Sequence, residues 1–167
     1  HGSWMTAFVQ GAHHYLVPVL PGRGPDGRGR ARTWDWPSNV EEVRPEQLHD
    51  RAVDVVVVQR PRELELARRW LGRALPPVVY VEHDTPMRLP RPAHPMADRD
   101  DVVIAHVTAF NQLMWACGTT ETVVVEHGVI DPGHRWSGEI AAAVAVINEP
   151  VRRWWEAGTD LVVGARD

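Results

Sequence analysis

Five apolar runs along this chain each end in polar side chains, and this pattern constrains the fold most strongly. The clearest run lies in residues 122–133, TVVVEHGVIDPG, where consecutive valines lead to Glu126, His127 and Gly128. A run of β-branched residues without polar alternation is typical of a parallel strand buried on both faces, and glycine permits a sharp turn after it. The segment therefore predicts a buried strand that carries chemical groups at its end.

Four other runs have the same arrangement. They are VDVVVVQR, ending at residues 59–60, VVYVEHD, ending at residues 82–84, VVIAHVT, ending at His106 and Thr108, and AAVAVINE, ending at residues 148–149. Because helical segments separate these runs, we expect an α/β fold with a Rossmann-like, doubly wound, mostly parallel sheet. In such a sheet the carboxyl ends of the strands meet at one edge, and ligands bind there.

Apolar spacing predicts the helices between the runs. An amphipathic helix is expected from Met5 to Leu16, closing before Pro18, although residues 15–20 also fit a short strand. PRELELARRWLGR predicts a helix that begins with a favourable proline and ends near Gly72. Thr108 is expected to cap a third helix. That helix would turn four side chains toward the core: Phe110, Leu113, Met114 and Cys117.

Composition excludes several classes of protein. The 167 residues include 18 basic and 22 acidic side chains, a net charge of −4, which does not favour nucleic-acid binding. The single cysteine, Cys117, excludes an internal disulfide and a thiolate zinc cluster, and its simplest interpretation is a small core residue. No apolar run approaches about 20 residues and no signal-peptide pattern is present, so we expect a cytoplasmic protein.

Residues 22–27 match the letters of the dinucleotide-binding motif G-x-G-x-x-G. Pro25 lies inside the match and no apolar helix follows it, so the motif lacks its structural context. We interpret the segment as a flexible loop. Its arginines would be solvated or would gather an anionic ligand: Arg23, Arg28, Arg30 and Arg32. Trp34 and Trp36 would either line an acceptor site or attach the loop to the body.

Three histidines end neighbouring runs, and each is a candidate for chemistry. His83, His106 and His127 are expected at the ligand edge, with carboxylates from Glu82, Glu126 and Asp131 nearby. Such a cluster could bind a divalent metal, but no H-E-x-x-H or H-x-H spacing supports a hydrolytic zinc site. A structural histidine, or a glutamate that orients its neighbour, explains the same residues. No G-x-S-x-G nucleophile motif occurs.

Seven segments in the same order resemble actinobacterial glycosyltransferases of the GT-B fold, of the retaining, nucleotide-sugar-dependent kind. They are HGSWMTAFVQG, GRGRARTWDWP, VVVVQRPRELELA, VYVEHDTP, IAHVTAFN, VVVEHGVIDPG and INEPVRRWWEAGTDL. Together they cover nearly the whole chain. The resemblance implies the amino-terminal half of such an enzyme. Residues 1–138 would form the acceptor-side Rossmann-like domain, without its first strand, and residues 139–167 would begin the nucleotide-binding domain or the crossover to it.

The resemblance also assigns roles to residues. His83 would contact the donor sugar, and Gly2 and Ser3 would face the donor phosphates through backbone amides. His106, Glu126, His127 and Gly128 would line the site. The nucleotide sugar would be a substrate rather than a cofactor, and no essential metal is expected. The partners would be the donor, an acceptor of unknown kind and a missing carboxyl-terminal domain, and peripheral membrane contact stays open.

The resemblance further implies that the residues which grip the nucleotide lie mainly beyond Asp167, so the isolated chain is expected to transfer little sugar. Arg152 and Arg153 come too early to be assigned to that grip. Two other functions remain as alternatives. One is a metal-dependent hydrolase that uses the strand-end histidines, and the other is a Rossmann-like binding domain without catalysis.

Overall fold

The computed structural model describes residues 2–86, 91–147, 149–152, 154 and 158–164. The chain divides into two compact units, His1–Ile130 and Asp131–Asp167. The first unit is a mixed α/β structure built on parallel strands, and it contains every strand among the described residues. No helix in the described part of the chain has the length and apolar character needed to cross a membrane.

The elements of the first unit mix helices and parallel strands along the chain without strict alternation. They are α1 (Ser3–Phe8), β1 (Tyr15–Pro18), β2 (Val40–Val43), a 3-10 helix (Pro45–Asp50), β3 (Val56–Val58), α2 (Pro61–Leu71), β4 (Val78–Glu82), β5 (Val103–His106), α3 (Ala109–Met114) and β6 (Thr122–Val124). The second unit contains α4 (Thr159–Gly164).

The strands form two parallel sheets. β1 pairs with β2, and the other four strands pair in the order β3-β4-β5-β6. In the larger sheet Val58 lies opposite Tyr80, Glu82 opposite His106, and His106 opposite Val124. The prediction of a mostly parallel sheet is confirmed. Because the strands are parallel and in register, the segments that follow them emerge at one edge.

Helix α2 has clear start and stop signals. Pro61 occupies its first turn, where a missing N–H has no cost, and Glu63 accepts hydrogen bonds from the backbone N–H of Gln59 and Arg60. Gly72 ends the helix in the left-handed conformation, with φ of 61°. Leu64 packs with residues of the sheet in the largest core cluster. The predicted helix is confirmed at both ends.

The two faces of the larger sheet are covered differently. On one face Val58, Tyr80 and Ile104 pack with Leu64 of α2. On the other face Val81, Ala105 and Val107 form a smaller cluster against which Trp4 of α1 packs. α1 therefore covers the second face near the carboxyl ends of β4 and β5.

The glycine- and arginine-rich loop is attached to the body of the unit rather than solvated along its length. Arg23 makes a bidentate salt bridge with Glu42 of β2, with guanidinium nitrogen to carboxylate oxygen distances of 2.8 and 2.9 Å. The guanidinium of Arg30 donates to the backbone carbonyls of Pro37, Val40 and Trp36. Trp36 is buried and its indole N–H donates to the hydroxyl of Thr6. The expectation of a flexible loop is wrong for this part of it, because these polar groups have fixed partners.

Two predicted helices differ from expectation. α1 ends at Phe8, and the chain turns before Tyr15 begins β1, so the helix does not extend to Leu16. α3 begins after Thr108, whose hydroxyl accepts from the backbone N–H of Asn111 at 3.0 Å, as predicted. Its apolar face is nevertheless exposed, since Phe110 and Leu113 are 57% and 65% accessible. The residue of α3 that is buried is Asn111.

Two predicted strands also differ. β6 is at one end of the sheet order, and Val123 and Val125 are exposed, so the strand is not buried on both faces. Residues 140–147 of the second unit form no strand, and Val144 and Val146 are 84% and 93% accessible. An extended apolar segment becomes a strand when another strand satisfies its backbone, and no described residue pairs with this one. Asn148, one of the polar residues at the end of this run, falls outside the described residues.

The contrast between α2 and α3 gives a test of the fold. Leu64→Ala removes a buried side chain of α2 and should lower the free energy of unfolding by about 2–5 kcal/mol. Leu113→Ala truncates an exposed side chain of α3 and should change it by less than about 0.5 kcal/mol. Urea titration followed by circular dichroism measures both. Equal losses for the two variants would contradict the packing described here.

Candidate functional site

The carboxyl edge of the larger sheet gathers three polar side chains, which we call the edge group: Gln59, His83 and His127. Gln59 follows β3, His83 follows β4 and His127 follows β6. The Nε2 atom of His83 is 3.0 Å from Oε1 of Gln59. The imidazole rings of His83 and His127 are stacked, with centroids 5.6 Å apart and an interplanar angle of 29°. The structure therefore brings two of the three predicted histidines together.

Helix α1 adds an aromatic wall to the edge group. The indole of Trp4 meets the His83 ring edge to face, with centroids 4.8 Å apart, and it also stacks on Phe8, with centroids 4.8 Å apart. Trp4 and Phe8 are four residues apart and so lie on the same side of the helix. His83 is thus held between an indole and a second imidazole.

The surroundings of His83 favour a neutral imidazole. Burial lowers the pKa of His83 below its usual value, because desolvation penalises the charged ring, and the neighbouring His127 imidazole lowers it further. The carboxylates of Asp84 and Glu82 act in the opposite direction and do not overcome these effects. At neutral pH the ring is uncharged, with one nitrogen that donates and one that accepts a hydrogen bond.

A buried carboxylate supports the turn that follows His83. Glu82 accepts hydrogen bonds from the backbone N–H of Asp84 at 2.7 Å and from Nε2–H of His94 at 2.9 Å. The Nδ1 atom of His94 accepts from the backbone N–H of Met96 at 3.0 Å. His94 is fully enclosed and Glu82 nearly so. Through these hydrogen bonds Glu82 links the turn after β4 to His94 in the long connection before β5.

The carbonyl of the same turn is held from the other side. The side-chain N–H of Asn111 and the indole N–H of Trp115 donate to the backbone oxygen of Asp84, at 2.7 and 2.8 Å. The side-chain oxygen of Asn111 accepts from Nδ1–H of His106 at 2.6 Å. Both ends of the Asp84 residue are therefore fixed by side chains, one from β4 and two from α3 and its C-terminal end, and this restrains the backbone that carries His83.

The predicted role of His106 at the edge is not supported by its position. Its side chain is fully buried, and its two nitrogens face Asn111 and the Sγ atom of Cys117, the latter at 3.6 Å. Burial lowers the pKa of His106 and raises the pKa of the Cys117 thiol. The chain of Cys117, His106 and Asn111 has the order of a cysteine-hydrolase triad. A buried thiol with a raised pKa is a poor nucleophile at neutral pH.

The other predicted site residues lie at the surface of the first unit. Gly2 precedes α1 and Ser3 is its first residue, directly before Trp4, and both are exposed. Glu126 is exposed beside His127. Gly128 is also exposed, and a Cβ atom built there would have no neighbour within 4 Å. A steric need for glycine at this position is therefore absent.

Sequence reasoning left three residues of the site without a role: Trp4, Gln59 and His94. Gln59 ends an apolar run in the same way as the histidines do, so the strand-end rule already indicated it. Trp4 lies four residues before Phe8, so helical periodicity places both side chains on the same side of α1. His94 lies in a proline-rich connection whose sequence has no periodicity, and no signal in the sequence indicates its contact with Glu82.

Other features of the first unit do not add to the edge group. A cavity of about 290 Å³ lies beside Cys117, with Arg91, Gln112 and Thr122 also in its lining, and no member of the edge group lines it. Among the described residues no three histidine, cysteine, aspartate or glutamate side chains are arranged to hold a metal ion. The stacked pair of His83 and His127 thus lacks a third ligand in this part of the chain.

Comparison with known proteins gives no further assignment. No protein-family model matches the chain, and no curated protein or solved structure matches it significantly. The functional interpretation therefore depends on the geometry of the edge and on the sequence resemblance.

Asn111 should be essential to the stability of the edge. Asn111→Ala removes the partner of a buried imidazole N–H and one donor to the Asp84 carbonyl, so the free energy of unfolding should fall by about 3 kcal/mol. The neighbouring variant Gln112→Ala loses one half-buried bond to Thr122 and should cost about 1 kcal/mol or less. Urea unfolding compares them. Similar losses of unfolding free energy in both variants would contradict the importance of the Asn111 hydrogen bonds to His106 and Asp84.

Stability should fall in mild acid because of His83 and His106. The native pKa of each lies below the unfolded value of about 6.5. The unfolded chain therefore binds more protons as the pH falls from 6.5 toward the native pKa values, and the free energy of unfolding decreases over that window. His83→Gln should reduce this dependence in urea unfolding measured between pH 7.5 and 5. An unchanged pH dependence in the variant would show that the ring is not shifted as described.

Proposed function

We propose that this chain contributes the acceptor-side domain of a retaining glycosyltransferase of the GT-B fold, and that its edge group holds the sugar of a nucleotide-sugar donor. The observation that carries the proposal is the position of His83 directly after β4, with its half-buried ring between the rings of Trp4 and His127. This is the histidine to which the sequence resemblance assigns the donor sugar.

The surroundings of His83 suit a sugar better than a charged group. Aromatic rings bury the apolar face of a sugar, and a neutral imidazole exchanges hydrogen bonds with its hydroxyls. An uncharged ring offers no positive charge to a diphosphate. The parallel sheet supports the same interpretation, since ligands of open α/β sheets bind at the carboxyl edge.

The chemistry in the intact enzyme would be group transfer. The bond between the sugar and the nucleoside diphosphate breaks, and the sugar is transferred to an acceptor hydroxyl held close to the reacting carbon. The negative charge that grows on the diphosphate must be stabilised by donors outside the edge group. Gly2 and Ser3 receive that role by resemblance, and the six-residue α1 adds no independent support for it. The contribution of His83 is to position the sugar.

A metal-dependent hydrolase is less compatible with these residues. The hydrolase hypothesis requires His83, His106 and His127 to coordinate the same metal ion. The His106 ring is buried and bonded to Asn111 and Cys117, so it is not available beside the other two.

Ligand binding by the 167-residue chain tests the proposal. Saturation-transfer NMR with UDP-glucose, GDP-glucose and ADP-glucose should detect contact with the sugar ring of at least one donor. His83→Ala should weaken that contact by about tenfold, the effect of one lost net hydrogen bond. His49→Ala, which changes an exposed histidine of the 3-10 helix, should leave it unchanged.

The effect of zinc on sugar binding distinguishes the glycosyltransferase proposal from the metal-dependent hydrolase hypothesis. Added zinc or a chelator should not affect the sugar contact. Absence of contact with every donor, together with zinc binding that His83→Ala abolishes, would overturn the proposal in favour of a metal site.

A further inference from the structure

The hydrogen bond between Gln59 and His83 determines which nitrogen of His83 carries its proton. Oε1 of Gln59 faces Nε2 of His83 at 3.0 Å, while Nε2 of Gln59 donates to the sulfur of Met5 at 3.3 Å. A thioether sulfur accepts hydrogen bonds and cannot donate them. The amide NH₂ is therefore directed toward Met5 and the carbonyl toward His83. A carbonyl oxygen requires a donor, so Nε2 of His83 is protonated.

The position of Gln59 is fixed independently of His83. Its backbone N–H donates to Oε2 of Glu63 at 2.6 Å, and Glu63 belongs to the first turn of α2. The residue before it, Val58, pairs with Tyr80 of β4. The amide therefore reaches His83 from a rigid neighbouring strand.

We infer that Gln59 is a positioning residue that holds His83 in the Nε2–H tautomer, so that Nδ1 accepts a hydrogen bond from a hydroxyl group of the ligand. No described residue donates to Nδ1 of His83. A hydroxyl supplies the donor that this nitrogen needs, whereas a phosphate at neutral pH presents acceptor oxygens and would be repelled by the lone pair. The inference rests on the proposed function in one respect: the hydroxyl is assigned to the donor sugar.

The tautomer can be measured without a ligand. Nitrogen-15 NMR of the imidazole groups in the labelled 167-residue chain distinguishes a protonated from an unprotonated ring nitrogen. The wild-type protein should show protonated Nε2 and unprotonated Nδ1 at His83. A protonated Nδ1 would overturn the inference whether or not any sugar binds.

Two substitutions separate positioning from a structural role. Gln59→Leu removes the acceptor and should give a mixture of the two tautomers. Gln59→Glu keeps an acceptor opposite Nε2, so His83 should remain in the Nε2–H tautomer. The negative charge of the glutamate should also raise the pKa of His83. Gln112→Leu changes a glutamine that bonds Thr122 and should leave His83 unaltered. An unchanged tautomer in Gln59→Leu would show that Gln59 does not control it.

Ligands then test the hydroxyl assignment. UDP-glucose should shift the Nδ1 signal of His83, whereas UDP and inorganic phosphate should not, and Gln59→Leu should weaken UDP-glucose binding by about tenfold. A shift with UDP equal to that with UDP-glucose would overturn the assignment to a hydroxyl of the donor sugar. An equal shift with inorganic phosphate would overturn the assignment to any hydroxyl. If the tautomer is as stated but nucleotide sugars bind nowhere, the proposed function fails and the hydroxyl assignment fails with it, while the role of Gln59 stands.

Discussion

The geometry of the edge depends on the hydrogen bonds that three side chains make with the backbone of Asp84. Glu82 accepts from its N–H, and Asn111 and Trp115 donate to its carbonyl. Polar groups of this kind are costly when they are buried without a partner, so β4 and the α3 segment, which supply the partners of Asp84, must meet in one arrangement. His83 directly precedes this residue, and its ring orientation follows from that arrangement. The chemistry of the edge is therefore set by side chains that do not contact the proposed ligand.

Much of this architecture could be predicted from local patterns in the sequence. Runs of valine predicted the strands, and Pro61 and Gly72 marked the ends of α2. The rule that the carboxyl ends of parallel strands share one edge predicts that His83 and His127 lie close together, and their rings are stacked. These predictions succeed because β propensity and helix capping depend largely on residues close together in the sequence.

The remaining features depend on contacts distant in sequence. His106 ends its strand as His83 does, but Asn111 and Cys117 enclose it, and no strand-end rule distinguishes the two environments. Val144 and Val146 have the composition of a strand and lie exposed, because a strand needs a partner as well as a pattern. The apolar spacing of α3 likewise predicts a buried face that its exposed residues do not form. Periodicity shows which residues could share a surface, not whether another element covers it.

Helix α1 has six residues, far fewer than the roughly 12–15 that an isolated helix needs to persist in water. Its order comes from contacts with the rest of the unit: Trp4 packs on the cluster of Val81, and the hydroxyl of Thr6 receives the indole N–H of Trp36. Any ligand that contacts Trp4 therefore binds to the ordered form of this segment and stabilises it by mass action. The measured affinity of the edge would then include the free energy of ordering α1. Trp36, about thirty residues away in sequence, would contribute to that affinity through local folding rather than through contact.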